Sequence, residues 1–361
     1  MKILFTGGGT MGHVAPALAM AQALLVASKK NECIFVGRSG GRENDAILRR
    51  GYPLHTIEVS GILGKSPKEI LCALGQMRTA RRTARALLEE IAPDAVVGTG
   101  GYVCYPVVAE AAKMKLPTLV HESNATPGLT TRILSRRVDA VMLGIPRGEG
   151  AFGGAKAVYT GTPVCREFYG GAKEAAKRRL GLSKQRIVVS FGGSLGAESI
   201  NQLFLTLHEK ACTGKTVWIH ATGTRYYEQV CEALKGEKNR GRYRLLPFID
   251  DMPTYLCAAD AVISRAGACT VAEHEAVGIV PLLIPSPNVT GNHQYHNAKR
   301  LSDVGRAVLL EESQLSTPEG EARILEYLKS NNVRKRSEVQ AEWAAQRALK
   351  VIREVVENRR R

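Results

Sequence analysis

The sequence predicts an α/β protein built as two Rossmann-like domains facing each other across a cleft. Three observations predict it. Short apolar strands alternate with helical patterns from end to end, as in KILFT then VAPALAMAQALL, and RIVVSF then ESINQLFLTLHEK. A Gly/Pro-rich stretch near residues 144–171 divides the chain. The two halves also resemble each other: PDAVVGTGGYVCYPVVAEAAKMKLPTLVHES, from Pro93, and ADAVISRAGACTVAEHEAVGIVPLLIPSP, from Ala259, both read strand, small-residue turn, helix, proline, strand, and a two-residue gap aligns them. The boundary falls near Gly161–Pro163. This gives a first domain over 1–162, a second over 163–335, and a helix over 336–361 that either packs on its own domain or crosses back to the first.

Composition bounds the function. With 361 residues, 44% hydrophobic and 23% charged, the chain is long enough for two cores and reads as an ordinary globular protein. No segment reaches the length of apolar residues that a transmembrane helix needs, and the N-terminal apolar run is too short for a signal peptide. Eight cysteines are scattered without C-x-x-C spacing, as expected of reduced, buried thiols. The net charge of +16 suits an acidic partner: nucleic acid, anionic lipid or a phosphorylated substrate. Low aromatic content and the lack of a recognition motif argue against nucleic acid.

The first strand runs into TGGGTMGHVAP (6–16), where Gly7, Gly9 and Gly12 have G-x-G-x-x-G spacing. A nicotinamide site would place a carboxylate at the end of the second strand. That strand, Cys33–Val36, ends in Gly37-Arg38-Ser39, although Arg38 would suit an NADP phosphate. His13 stands at a helix start, where N–H groups favour neutral imidazole, so it is a candidate base; the alternative is a histidine that caps or packs the loop. Ser66-Pro67 starts a helix with the stripe Ile70, Leu71, Leu74, Met77, followed by Arg78, Arg81, Arg82 and Arg85. Such a basic amphipathic helix either meets an anionic membrane or packs on its own domain. After the strand Ala95–Val97, Gly98-Thr99-Gly100-Gly101-Tyr102 would admit a diphosphate to backbone N–H groups. After Thr118–Val120, His121-Glu122-Ser123-Asn124 puts polar side chains at the same edge.

In the second half, FGGSLGAESIN places Ser194 at a strand-to-helix turn. In SRAGACTVAEHEAVG, Ala268, Cys269 and Thr270 open a helix whose N–H groups make an anion site. Glu273, read as lying in that helix's first turn, would accept from a ribose diol or simply complement the positive helix end. In PSPNVTGNHQYHNA, Gln294 and Asn297 could read sugar hydroxyls, and in PFIDDMP, Ile249 could lie against a base. No P-loop or metal-ligand cluster is present in the sequence, and the doublet Asp250-Asp251 lacks a third ligand. Helix ends and Arg166 would meet the diphosphate. The second half thus reads as a nucleotide-diphosphate-sugar site and the first as an acceptor site.

Together these residues resemble the MurG family, the bacterial UDP-N-acetylglucosamine transferases of peptidoglycan synthesis, which belong to the GT-B class (glycosyltransferase family 28). The resemblance runs in order over almost the whole chain. TGGGTMGHVAP and GTGGYVCYP resemble the family's glycine loops, HESNATPG its asparagine loop, and GTPVCRE its interdomain G-N-P-V-R segment. FGGSLGA, FIDDM, SRAGACTVAE and N-H-Q…N-A resemble the donor-site motifs. The resemblance implies a GT-B fold and transfer of GlcNAc, with inversion, from UDP-GlcNAc to the MurNAc C4 hydroxyl of undecaprenyl-diphospho-MurNAc-pentapeptide (lipid I), giving lipid II. It implies no required cofactor and no metal. Its implied partners are these two substrates, an anionic membrane surface on the cytoplasmic face and other cell-wall synthesis proteins, with no nucleic acid.

Carried over by position, the donor residues are Thr10, Met11, Gly12, Asn124, Arg166, Ser194, Ile249 at uracil, Ala268, Cys269, Thr270, Glu273 at the ribose and Gln294 at the GlcNAc hydroxyls. The acceptor residues are Gly9, His13, Gly100, Gly101 and Tyr102. The sequence departs from the family at Met11 (usually Gly), Leu195 (Gln), Cys269 (Leu), Thr162 (Asn) and Cys165 (Arg), with Arg166 adjacent to the last. Competing readings are a UDP-GlcNAc 2-epimerase on the same frame, an NADP-dependent oxidoreductase, and a non-catalytic nucleotide-sugar binding module.

Overall fold

A computed structural model describes residues 1–61, 67–146, 152, 155–237, 240–332 and 343–360. The chain forms two compact units, one of residues 1–166 with 342–361 and one of residues 167–341.

In the first unit, β1 (Lys2–Thr6), β2 (Glu32–Arg38), β3 (Leu54–Ile57), β4 (Ala95–Gly98), β5 (Thr118–Glu122), β6 (Ala140–Leu143) and β7 (Lys156–Tyr159) form one parallel sheet in the order 3-2-1-4-5-6-7. Its helices are α1 (Met11–Ala27), α2 (Asn44–Leu48), α3 (Pro67–Ile91), α4 (Cys104–Lys113) and α5 (Leu129–Leu134). A parallel sheet is covered on both faces, so its strands are continuous apolar runs. Ile3 and Phe5 pack with Val14 and Leu18 of α1 on one face. Leu4 packs with Ala80, Ala84 and Leu88 of α3 and Val107 and Val108 of α4 on the other.

The C-terminal helix (Ala344–Arg360) belongs to this unit. Its Ala348, Leu349, Ile352 and Val356 join the α1 side of the core. The Trp343 indole donates to the Val164 carbonyl (2.6 Å) and Arg347 Nε to the Thr160 carbonyl (2.8 Å). These bonds keep Val164–Arg166 with the first unit, slightly beyond the boundary placed from sequence. Arg359 pairs with Asp139 at 2.6 Å, and Arg360 with Asp94. Burial pushes the Asp94 carboxyl up, but the Lys2 N–H and Arg360 outweigh it and hold it below the ordinary carboxylate range.

The basic amphipathic helix is α3. Ala73, Ala80, Ala84, Leu88 and Ile91 are buried, while Arg78, Arg82 and Arg85 are exposed. Arg81 departs from the expected basic face: its Nε donates to Glu110 of α4 at 2.6 Å, and Glu110 is buried. A buried carboxylate needs a partner, and Arg81 supplies it. Ser66 and the side chains of Ile70, Leu71 and Leu74 lie outside the described residues. No helix among the described residues is long and apolar enough to cross a membrane.

The second unit begins with α6 (Glu167–Gly170) and α7 (Lys173–Arg179). It continues through β8 (Arg186–Phe191), α8 (Glu198–Ala211), β9 (Thr216–Ala221), α9 (Tyr227–Ala233), β10 (Tyr243–Leu246), α10 (Met252–Ala258), β11 (Ala261–Ser264), α11 (Ala268–Val277), β12 (Leu282–Leu283), α12 (His293–Ser302), β13 (Val308–Leu309) and α13 (Pro318–Lys329). The parallel strand order is 10-9-8-11-12-13. Counted from each unit's first strand, both sheets read 3-2-1-4-5-6, and the first adds one edge strand. The β4–α4–β5 and β11–α11–β12 segments hold equivalent places. Their turns, residues 99–103 and 265–267, differ by two residues, which is the gap between the two similar sequence segments. The carboxyl ends of parallel strands are where such folds bind ligands, and the motif loops follow those ends.

Candidate active site

The turn between β1 and α1 is built around His13. Gly9 has φ +90, a conformation that favours glycine. His13 Nδ1 lies 3.0 Å from the Gly8 carbonyl and 3.3 Å from the Thr10 hydroxyl. A carbonyl oxygen only accepts, so Nδ1 carries a proton, and in the neutral ring the lone pair is at Nε2. Met11 is the half-buried first residue of α1, and Gly12 is exposed.

The second glycine loop closes over this ring. A Cβ on Gly100 would stand 2.8 Å from His13 Cδ2, and one on Gly101 would stand 2.0 Å from the Gly8 carbonyl oxygen. Both glycines have positive φ. The room they make is therefore used by loop-to-loop packing; the sequence reading had given it to a diphosphate. Tyr102 lies over Gly9, its ring 3.1 Å from where a Cβ would be. Sequence reasoning missed Glu43. It follows Gly40-Gly41 in the connection after β2, and its Oε1 accepts the Gly9 N–H at 2.6 Å. The carboxylate sought at the end of the second strand exists, a few residues later and bound to the loop itself.

After β5, three of the four polar residues serve the fold. His121 Nε2 donates to the Gly161 carbonyl (3.2 Å) and its Nδ1 accepts from Ser123 (3.2 Å). Burial pushes His121 down to about 4, so it is neutral. Buried Glu122 accepts from the Asn124 backbone N–H (3.0 Å) and side chain (3.3 Å) and from the Gly128 N–H (2.9 Å). It shapes the loop and leaves Asn124 half-buried at its tip. Arg166 is exposed, and its N–H donates to Gln22 (2.9 Å). Neighbouring Cys165 is buried and receives the Arg50 guanidinium at 3.6 Å.

In the second unit, Ser194 is exposed in the β8–α8 turn, beside Gly193 (φ +92) and Gly196 (φ +79). Leu195 is also exposed. A Cβ on Gly196 would meet the Thr222 carbonyl oxygen at 2.2 Å. That carbonyl ends a buried chain in which every proton has a direction. The Trp218 indole donates to Ser190 (2.8 Å), Ser190 to His220 Nδ1 (2.6 Å), His220 Nε2 to Asn201 (3.0 Å), and Asn201 to the Thr222 carbonyl (3.2 Å). Burial pushes His220 down to about 3 and keeps it neutral for this role. Arg265, also missed from sequence, donates to the Ile284 and Pro285 carbonyls (both 3.2 Å) and to Ser199 (2.9 Å), tying the start of α8 to the β12 end.

Helix α11 starts at Ala268 after Gly267, and no side chain caps it. The first amides, at Ala268, Cys269 and Thr270, give a helix N-terminus suited to an anion. Glu273 is the sixth residue of α11, in its second turn, not its first. The helix field fades beyond the first turn, so complementing the helix end does not explain this carboxylate. Glu273 is half-buried, no hydrogen bond to it is present among the described residues, and burial pushes its carboxyl up to about 8. Ile249 is buried, so its side chain packs within the unit. Gln294 Oε1 accepts the Ser286 N–H at 2.9 Å, bracing the 285–294 loop. Asn297 is fully buried and donates to the Ala266 carbonyl (3.1 Å). It supports the turn before α11 and is not open to a sugar, contrary to the sequence reading.

Asp251 precedes α10 and pairs with Arg179 at 3.0 Å. Among the described residues, His208, Glu209 and Glu237 bring ligand atoms within 4.8 Å of one another. There His208 Nε2 is already bonded to Glu237 at 2.9 Å.

Residues 3–143 match the glycosyltransferase family 28 N-terminal domain, and residues 187–355 match the family's C-terminal domain. A protein of Halalkalibacterium halodurans, named UDP-N-acetylglucosamine--N-acetylmuramyl-(pentapeptide) pyrophosphoryl-undecaprenol N-acetylglucosamine transferase, is 40% identical over 88% of this chain and 87% of its own. The crystal structure of Acinetobacter baumannii MurG matches with a TM-score of 0.68, at 26% identity over 99% of each chain. A putative UDP-N-acetylglucosamine 2-epimerase from Listeria monocytogenes matches with a TM-score of 0.63, but at 13% identity over 99% of this chain and 97% of that one, which shows the fold alone. The fold is thus that of the GT-B glycosyltransferases. The chain belongs to glycosyltransferase family 28.

Proposed function

We propose that this protein transfers N-acetylglucosamine from UDP-GlcNAc, with inversion, to the MurNAc C4 hydroxyl of undecaprenyl-diphospho-MurNAc-pentapeptide, giving lipid II. The observation that carries this reading is the 40% identity over 88% of the chain to a relative named for that transfer. The local chemistry supports it. His13 presents a lone pair at Nε2 and can take the hydroxyl proton as the oxygen attacks the anomeric carbon. The bond from that carbon to the diphosphate oxygen breaks, and UDP leaves with the electron pair. Fixed dipoles stabilise charge that develops on a leaving group, and the Ala268–Thr270 amides, Ser194 and Arg166 take that role. Glu273 accepts from the ribose diol, and the Ile249 segment and Gln294 hold uracil and the sugar. Thr10, Met11, Gly12 and Asn124 complete the sugar side, with Gly9, Gly100, Gly101 and Tyr102 at the acceptor.

The lipid acceptor calls for a peripheral position on the cytoplasmic face of the membrane, near other cell-wall synthesis proteins. The exposed Arg78, Arg82 and Arg85 on α3 suit its anionic surface. The test is transfer of radiolabel from UDP-GlcNAc to lipid I. Lipid II should form, and UDP should appear only when lipid I is present. His13→Ala should lower kcat on the order of 10²-fold. UDP release without lipid I would favour an epimerase-like reaction and overturn the reading, and near-normal kcat in His13→Ala would remove the base.

A further inference from the structure

We propose that Glu43 tunes the basicity of His13 through the Gly8–Gly9 peptide group, making a carboxylate–peptide–imidazole relay. The Gly9 N–H that donates to Glu43 and the Gly8 carbonyl that accepts from His13 Nδ1 belong to one peptide unit. Amide resonance links its two ends. A negative charge at the N–H end pushes electron density onto the carbonyl oxygen, which then holds the His13 proton more strongly. Chained hydrogen bonds reinforce one another in this way inside a protein. The effect stabilises the imidazolium that forms once His13 accepts a proton at Nε2.

The surroundings are arranged for it. Glu43 is 7% exposed, so solvent and salt screen its charge weakly. The 2.6 Å bond is at the short, charge-assisted end of the range. A Cβ on Gly8 would stand 3.0 Å from Glu43 Oε1, and one on Gly41 would stand 2.9 Å from it, so both glycines make room for the carboxylate. Among the described residues, polar groups facing the His13 turn include Glu43 from the β2–α2 connection, Tyr102 and Thr99 from the loop after β4, and Thr10 from the turn itself, with Gly100 and Gly101 packed against the ring. Glu43 is the carboxylate that these described contacts place there. It also changes what the first glycine loop offers a ligand. The Gly9 N–H is already engaged by a negative group, which suits a neutral hydroxyl and a transient imidazolium there better than a diphosphate.

Glu43 is thus a positioning and tuning residue, and this role rests on the reading of His13 as the base. Glu43→Gln keeps an acceptor oxygen and nearly the same shape but removes the charge. Titration of the His13 ring by NMR, assigned with His13→Gln, should show its pKa lowered by about one unit in Glu43→Gln, the scale of shift that neighbouring groups impose in folded proteins. The acid limb of the kcat profile should move down in pH with it. An unmoved titration in a folded Glu43→Gln protein overturns the relay. The unmodified protein provides a second test that needs no variant: protonating His13 should displace the Gly9 amide proton resonance, and a resonance blind to that titration also overturns the proposal. Outcomes for the two readings separate. A shifted titration with normal kcat in His13→Ala removes the base but leaves the relay; an unshifted titration with inactive His13→Ala does the reverse.

Discussion

Glu273 offers the sharpest test of the donor site. Burial raises its carboxyl from 4.5 to about 8, so in the ligand-free protein it is mostly protonated at neutral pH. A ribose diol donates hydrogen bonds, which favour the ionised form. On the proposed ribose contact, binding UDP-GlcNAc, a diphosphate diester whose own charge is constant across this range, expels a proton from Glu273. Affinity should rise nearly tenfold per pH unit below the raised pKa and level off above it, which is on the order of 50-fold between pH 6 and pH 8. Stability moves the other way. A carboxyl whose folded pKa lies above its unfolded value stabilises the fold fully below the unfolded pKa and loses that contribution as pH rises through the folded pKa. From pH 4.5 to about 8 the second unit should lose roughly 3–5 kcal/mol. Glu273→Gln removes both dependences. Calorimetric titration of UDP-GlcNAc from pH 6 to 9 reads the first, and denaturation followed by Trp218, which lies in the second unit, reads the second. Parent and variant with the same flat affinity profile would refute the assignment of Glu273 to a ribose contact.

Ile352→Ala on the C-terminal helix should cost the first unit about 2–5 kcal/mol by leaving a cavity, seen by Trp343, while unfolding of the second unit is unchanged; equal losses in both units would contradict the division. Ser190→Ala strands the Trp218 N–H and His220 Nδ1 in the interior and should destabilise the second unit by about 1–3 kcal/mol; a change near zero in denaturant titration would mean the chain carries little. Charge reversal at Arg78 and Arg82 should weaken binding to anionic vesicles by at least roughly 1 kcal/mol per residue, with neutral vesicles as the control. Arg81 is left intact because reversing it would break its pair with Glu110.

The elements were legible because each reflects a local pattern. Strands covered on both faces must be apolar throughout, as Ile3–Phe5 and Ile187–Val189 are. The internal similarity was legible too, because two segments that build the same strand–helix–strand unit need the same small-residue turns, and the two-residue gap sits in those turns. The motif residues Ser194, Ala268–Thr270, Glu273 and His13 all follow strand ends, as expected. The direction and partners of side chains were not legible. Arg81 and Asn297 turn inward, His121 and Glu122 brace loops, and the glycines at 100 and 101 make room for the His13 ring and the Gly8 carbonyl.

Periodicity and motif spacing therefore established the strand–helix alternation, the repeated unit and the chemical character of each loop, since these depend on residues within one turn or strand of each other. Which polar groups are spent on the fold was decided by segments meeting from far along the chain. Gly9 and Glu43 are 34 residues apart, Arg81 and Glu110 are 29, and Asn297 and Ala266 are 31. A buried donor or acceptor must find a partner wherever the packed chain brings one. That requirement, acting at long range, turned an ordinary glutamate after β2 into the carboxylate beneath the His13 turn.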